Sequence, residues 1–274
     1  VPKLKSQDDI LKMRAAGRLA AQTLRYAGEL VKPGISTEAI NQAVHNFIVE
    51  NGAYPSPLNY KGYPKSVCTS INDVICHGIP SEKEILQEGD IVNIDVTVTL
   101  DGYFGDCSRT FYVGEHISAE RIKVTEVAEE SLVRGIIAAK HGNRLGDVGS
   151  AIQNFAEKEG CSVVRDFVGH GIGKVFHEPD LQVPHYGKAG TGLKIVRGMI
   201  FTIEPMINAG DWRMKMLKDG WTAKTLDGKA SAQFEHTIAI VGDGVEILTA
   251  LEDDPIAIKV KKMGGNVLWP ELKV

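Results

Sequence analysis

The four cysteines, Cys68, Cys76, Cys107 and Cys161, include no C-x-x-C pair. That excludes a zinc ribbon, and scattered single thiols in a chain of this length read as reduced and cytosolic. Long apolar runs are missing too. No stretch approaches about 18 uninterrupted apolar residues, the length a membrane span needs, and the opening "VPKLKSQDDI" lacks the apolar core of a signal peptide. A cytoplasmic location without membrane contact is the expectation. No basic block stands out: 31 Lys and Arg face 35 Asp and Glu, for a formal charge of −4, which argues against a nucleic-acid or membrane-surface binder. There is no G-x-x-x-x-G-K-[ST], and the glycines around His170 do not follow the dinucleotide pattern. Nor does any Ser/Gly-rich, Pro-rich or low-complexity stretch separate folded units. A single domain over residues 1–274 is expected, with hydrophobic residues at 43% to supply its core.

What the sequence does contain is a repeated grammar. Ser6 to Asp9 reads as a capped helix start, followed by apolar residues at helical spacing, Ile10, Met13, Leu19, Ala20, Thr23 and Leu24. "KPGIS" breaks that helix, and a second runs from about Thr37 to the stop at Asn51-Gly52. The pattern returns from Ser118 through Val124, Val127, Ala128, Leu132 and Ile136, is broken by "KHGN", and resumes near Val148 to Glu157 before Gly160. Gly34 to Gly142 and Gly52 to Gly160 are both offsets of 108, and Gly89 to Gly198 and Asp95 to Glu204 are both 109. Two similar halves, about 6–115 and 118–250, follow from this. Each has two helices and then strands, with a cleft between them where a ligand would sit.

In "DIVNIDVTVTLDGYFGD", Val92, Ile94, Val96, Val98 and Leu100 alternate with Asn93, Asp95, Thr97 and Thr99. The alternation predicts a half-buried strand, and Asp101-Gly102 predicts a two-residue hairpin turn. That register sets Leu100 opposite Tyr103 and Asp95 opposite Ser108, with Asp106 diagonal to Asp95 on the same face. Two carboxylates so close repel unless a cation lies between them. Glu204 in "GMIFTIEPMI" and Glu235 in "SAQFEHTIAI" are also acids inside apolar strands, which is costly unless they are paired or coordinated. His170, in "DFVGHGIG", stands between glycines that would leave its imidazole unobstructed. Four carboxylates and one imidazole are too many for a tetrahedral zinc. They suit two divalent ions, Mn, Fe, Co or Zn, and such a site activates a bridging water for hydrolysis.

Asp95, Asp106, His170, Glu204 and Glu235, in this order and context, resemble the dinuclear site of the methionine aminopeptidases. "GYPKSVCTSINDVICHGIP" (62–80) and "GHGIGKVFHEP" (169–179) resemble the first, bacterial-style type of that family. The resemblance covers nearly the whole chain. It implies an α+β pita-bread fold, two pseudo-two-fold halves around a central curved antiparallel sheet covered by helices. It also implies removal of the initiator methionine from nascent chains whose second residue is small. In this reading Asp95 chelates one ion, Asp106 and Glu235 bridge the pair, and His170 and Glu204 complete the other. Glu204 also shuttles the proton as a metal-bridging hydroxide attacks the scissile carbonyl. His77 contacts the substrate near its amine and scissile amide, and His177 hydrogen-bonds the carbonyl. Tyr60, Tyr63, Cys68, Phe176 and Trp221 line the methionine pocket. Pro57 departs from the common bacterial pattern, which frequently has cysteine there. A monovalent cation is implied near Asn72, Val74 and Ser231, and a monomer with transient ribosome association is expected. Only 30 residues separate Glu204 from Glu235, so the helical insertion of the second type is missing. No extension precedes the first helix, so the zinc-finger or ribosome-docking tails of some members are expected to be absent. An Xaa-Pro aminopeptidase or prolidase shares the fold but carries a preceding domain for which Asp95 comes too early. A catalytically inactive binding member would be expected to lose metal ligands.

Overall fold

The computed structural model describes residues 2–268, so the single-domain expectation for 1–274 reaches past the described residues at both ends. Along the chain lie helices α1 (Gln7–Leu30) and α2 (Thr37–Glu50), then strands β1 (Tyr54–Pro55), β2 (Cys68–Ile71), β3 (Val74–Cys76), β4 (Ile91–Leu100) and β5 (Tyr103–Tyr112). Helices α3 (Ala119–Ala138) and α4 (Leu145–Lys158) follow, then β6 (Ser162–Val163), β7 (Gly169–Gly171), β8 (Glu178–Val183), β9 (Ile200–Ile203) and β10 (Met206–Asn208). The remainder is β11 (Met214–Met216), β12 (Ala223–Thr225), β13 (Ser231–Gln233), β14 (Glu235–Val241), β15 (Gly244–Ile247) and α5 (Pro255–Lys262).

Helices α1 to α3 begin where the sequence places their starts. Ser6 and Asp9 form a reciprocal capping box on α1, and Ser36 and Ser118 cap α2 and α3 through their side chains. Helix α4 starts at Leu145, three residues before the expected Val148, because Asp147 accepts the Arg144 main-chain N–H at 2.7 Å and closes the first turn earlier.

The helices pack on one side of a nine-stranded antiparallel sheet ordered β1-β4-β5-β14-β9-β7-β8, with β2 on β4 and β15 on β14. Leu19, Leu24, Ile40, Val44 and Ile48 meet Val92, Ile94, Val96 and Val98 in one core cluster. Leu132, Ile136, Val148 and Ile152 meet Phe201, Ile203, Ile238 and Ile240 in a larger one. Complete burial of each such side chain contributes roughly 1.5–3 kcal/mol.

The internal echo survives in three dimensions. Gly34 and Gly142 have φ of 88° and 96°, Gly52 and Gly160 75° and 77°, Gly89 and Gly198 86° and 85°. Isolated bridges tie Ser36 to Ile85 and Arg144 to Lys194, the same join repeated 108 or 109 residues later.

Strand β4 differs from the expectation of one wet face. Its polar residues Asn93 and Thr97 are 4% and 1% exposed. Strand β13 and its flanks close over that face: the Asn93 amide donates to Gln233 O at 2.8 Å. Alternation reported correctly that two faces differ, but the polar one meets other polar groups rather than solvent.

Candidate metal centre and substrate cavity

Each candidate ligand comes from its own segment of the central sheet, and the segments are neighbours. Asp95 is on β4, Asp106 on β5, Glu235 opens β14, Glu204 follows β9 directly, and His170 is the middle residue of β7. The register places Asp95 opposite Ser108, Glu235 opposite the same Ser108, and Leu100 opposite Tyr103, so the predicted hairpin is the observed one. Asp106 pairs with Thr97, one step diagonal to Asp95.

Ligating atoms of Asp106, His170 and Glu235 lie within 4.8 Å of one another. His170 Nε2 is 3.4 Å from Asp106 Oδ2 and 3.6 Å from Glu204 Oε1. Asp95 and Glu204 line the same cavity as these three. Asp106, His170 and Glu235 are 4%, 7% and 2% exposed, so these groups are shielded from solvent.

Burial of this many acids together has an electrostatic cost. Burial pushes the carboxyls of Asp95 and Glu235 well above the ordinary range, and the Asp106 charge adds to it. Burial also raises Glu204 to about 7, against the opposing pull of His170. Burial works to lower His170, but the neighbouring Asp106 and Glu204 carboxylates outweigh it and carry the imidazole to about 9. Without a cation the cluster holds protons in its place. The donor set, carboxylates and one imidazole packed around a common point, therefore fits a divalent metal.

The imidazole is aimed. His170 Nδ1 is 3.1 Å from the Gly171 carbonyl, so Nδ1 donates there and Nε2 is turned toward the carboxylates, where it would offer its lone pair once a metal displaces its proton. The glycines beside it serve another purpose than leaving the ring unobstructed. A Cβ at Gly169 would press into the Thr202 carbonyl of the adjoining strand, and one at Gly171 would sit 2.9 Å from Leu181 Cβ. They let β7 sit close between its neighbours.

The cavity, about 200 Å³, is also lined by Pro57, Tyr60, Tyr63, Cys68, His77, Phe176, His177 and Trp221. All the sequence-predicted pocket residues are thus brought to one place. Aromatic contacts divide them. Tyr63, His77 and Trp221 form one group, with ring centroids of Tyr63–Trp221 at 5.1 Å and His77–Trp221 at 6.1 Å. Tyr60, Phe176 and His177 form the other, with Tyr60–Phe176 at 4.8 Å and Phe176–His177 at 4.2 Å. His77 has a φ of 56°, a left-handed backbone that a non-glycine residue holds at a cost. Burial pushes its pKa down. His177 Nδ1 is 2.9 Å from the Tyr60 hydroxyl. Its ring is largely enclosed although the residue reaches the surface, and that enclosure first, then the nearby His170, lowers its pKa, so this imidazole is neutral at physiological pH. The Cys68 thiol is pushed up by burial and stays protonated.

Near the expected monovalent site, the Ser231 N–H donates to the Asn72 carbonyl at 2.8 Å, which brings the loop before Val74 against β13.

Sequence reasoning missed several supporting residues. Thr97 Oγ1 donates to Asp106 Oδ1 at 2.8 Å, and Thr202 Oγ1 to Glu204 Oε1 at 2.7 Å. The Gln233 amide reaches the Glu204 carbonyl at 3.3 Å. Thr97 is two residues from Asp95, Thr202 two from Glu204, and Gln233 two from Glu235, so strand periodicity placed each on a ligand's own face. His185, whose Nε2 accepts the Glu204 main-chain N–H at 3.1 Å, carried no such signal.

A sheet whose adjacent segments present four carboxylates and an imidazole into an aromatic-lined cavity defines a metal-dependent hydrolase. The sequence pattern of metallopeptidase family M24 matches residues 11–241, and the chain belongs to that family. It is 58% identical over 246 residues to methionine aminopeptidase A of Synechocystis sp., covering 90% of this chain and 96% of that one. The crystal structure of methionine aminopeptidase from Rickettsia prowazekii superposes with a TM-score of 0.89 at 52% identity, over 91% of this chain and 100% of that one. The fold is thus the pita-bread fold of a type I methionine aminopeptidase. The prolidase from Pyrococcus horikoshii shares the fold at a TM-score of 0.71 with 24% identity, and this chain spans 64% of it.

Proposed function

We propose that this chain is a methionyl aminopeptidase that removes the N-terminal methionine of new polypeptides when the second residue is small. The observation that carries the reading is the sharing of one cavity by Asp95, Asp106, His170, Glu204 and Glu235 with Tyr60, Tyr63, Cys68, Phe176 and Trp221. Aromatic and thiol surface suits a thioether side chain, and buried carboxylates beside it suit the ammonium that marks a chain terminus.

Asp95, Asp106, His170, Glu204 and Glu235 would hold two divalent ions, Co, Mn, Fe or Zn. When bound, such ions polarise a carbonyl and lower the pKa of water. The chain's own residues do the rest. The acids hold the substrate amine, and the aromatic walls hold its side chain and exclude water. Glu204, oriented by Thr202, accepts the proton of the attacking water and passes it to the leaving amine. The Tyr60 hydroxyl donates to His177 Nδ1, which leaves Nε2–H to donate to the scissile carbonyl oxygen as negative charge develops there. His77 positions the substrate end.

A monovalent cation near Asn72, Val74 and Ser231 would fix the loop beneath the cavity. A substrate that is a nascent chain implies cytoplasmic action beside the ribosome by a monomer. Among the described residues no helix is long and apolar enough to cross a membrane.

The test is a peptidase assay on metal-stripped protein, with Co, Mn, Fe or Zn added back and Met-Ala-Ser, Met-Lys-Ser and Ala-Pro peptides compared. Metal-dependent release of methionine from Met-Ala-Ser alone is the expected result. Cleavage of Ala-Pro would move the chain to the proline-specific branch. No turnover despite bound metal would leave a binding protein.

A further inference from the structure

Among the described residues that line the cavity, Lys61 is the single Lys or Arg. It is exposed, whereas Asp106 and Glu235 are buried, so the cavity keeps its acids inside and carries a cation at its rim. The position is held by the backbone. Lys61 lies within the 3-10 turn Tyr60–Gly62 at φ 48°, ψ 28°, and Asn59 before it has φ 65°. Two left-handed non-glycine residues, Asn59 and Lys61 on either side of Tyr60, are costly and mark a constrained loop. The ammonium stands 5.4 Å from the centroid of the Tyr60 ring, close enough for a cation–π contact. Tyr60 in turn stacks on His177 with centroids 5.2 Å apart. Lys61 forms no ion pair with any described residue, so its charge is available to a ligand.

We propose that Lys61 is a specificity-determining residue that favours substrate chains with an acidic side chain at the third or fourth position. This rests on the aminopeptidase reading above. In that reading the terminal amine and first side chain are buried among the acids and aromatic rings. The polypeptide must then leave over the exposed rim, past His177 and Lys61. An extended chain advances about 3.3 Å per residue, so the third and fourth side chains lie roughly 7–10 Å beyond the first and reach the rim. The second residue is too short to reach it when small. A lysine simply solvated at the surface would be indifferent to these side chains.

The experiment measures kcat/KM for C-terminally amidated Met-Ala-Asp-Ala, Met-Ala-Ser-Ala and Met-Ala-Lys-Ala with the metal-loaded protein. The wild type is expected to prefer the Asp peptide over the Lys peptide by about two- to fivefold, the range of an exposed ion pair, and the preference should fade in 0.5 M salt. Lys61→Glu should invert the ratio. Lys61→Asn, which tolerates the left-handed backbone, should bring it to unity and guards against misfolding of the charge reversal. An Asp-to-Lys ratio unchanged in both variants, with the Ser peptide still cleaved, would overturn this inference alone. Failure of the wild type to cleave any of the three would overturn the aminopeptidase reading instead.

Discussion

Thr202 links Glu204 to His170: its hydroxyl donates to Glu204 Oε1 at 2.7 Å and accepts the main-chain N–H of His170 at 3.0 Å. Two candidate ligands from adjacent segments are therefore set by one side chain. Thr202→Val removes the hydroxyl at nearly constant volume and leaves both partners unsatisfied. It should weaken metal affinity or turnover by about 10–100-fold, as loss of an outer hydrogen bond does at metal sites. Thr202→Ser should recover most of this. Isothermal titration with Mn or Co, and kcat on Met-Ala-Ser, check it; a valine variant with wild-type values for both would show that the link is idle.

Glu204→Gln keeps the shape but cannot accept a proton. Turnover should fall by about 10²–10⁴-fold, the range for loss of a positioned general base, while KM changes far less. Steady-state kinetics with metal content measured on the same sample separates the proton role from simple loss of a ligand. Retention of turnover would sink the assignment.

Metal loading should release protons. The carboxyls of Asp95 and Glu235 are held well above the ordinary range by burial and by Asp106, and burial holds Glu204 near 7. Each must lose its proton to bind a cation, so apparent affinity should rise with pH through the neutral range. Calorimetry in buffers of different ionisation enthalpy reads the proton count directly; heats independent of buffer at pH 7 would contradict it. The same shifts fix the sign for the metal-free protein. A carboxyl with a folded pKa above its unfolded value contributes stability that is fully present below the unfolded value, 4.5 for Glu204. That contribution is lost as pH rises through about 7. The Glu204→Gln variant, which lacks this group, should therefore lose less melting temperature than metal-free wild type between pH 5.5 and pH 8.

Gly169→Ala should damage the site from outside it. The new Cβ would collide with the Thr202 carbonyl, which is main chain and cannot swing away. Strands β7 and β9 must separate, at a cost of about 1–3 kcal/mol for overpacking, and His170 moves with β7. Lower melting temperature and weaker metal binding together are expected. Loss of stability with unchanged metal affinity would mean that the imidazole is steered independently of its strand.

The first four helices and the hairpin were legible before the structure, unlike α5, because their determinants are local. Ser6, Ser36 and Ser118 cap helices wherever they are followed by an amphipathic run, and Asp101-Gly102 turns the chain whatever lies around it. The four candidate acids were legible as single anomalies, charges inside strands, His170 stood out only in their company, and the 109-residue offset tied Asp95 to Glu204. What the chain order does not contain is the order of the sheet. Strand β14 inserts between β5 and β9, and that insertion alone makes Glu235 a neighbour of both Asp106 and Glu204. Nor could periodicity show that the polar face of β4 is dry, since alternation distinguishes two environments without saying which is water. Burial by β13 decided that, and burial, rather than the identity of the acids, is what raises their pKa values and makes a cation their complement.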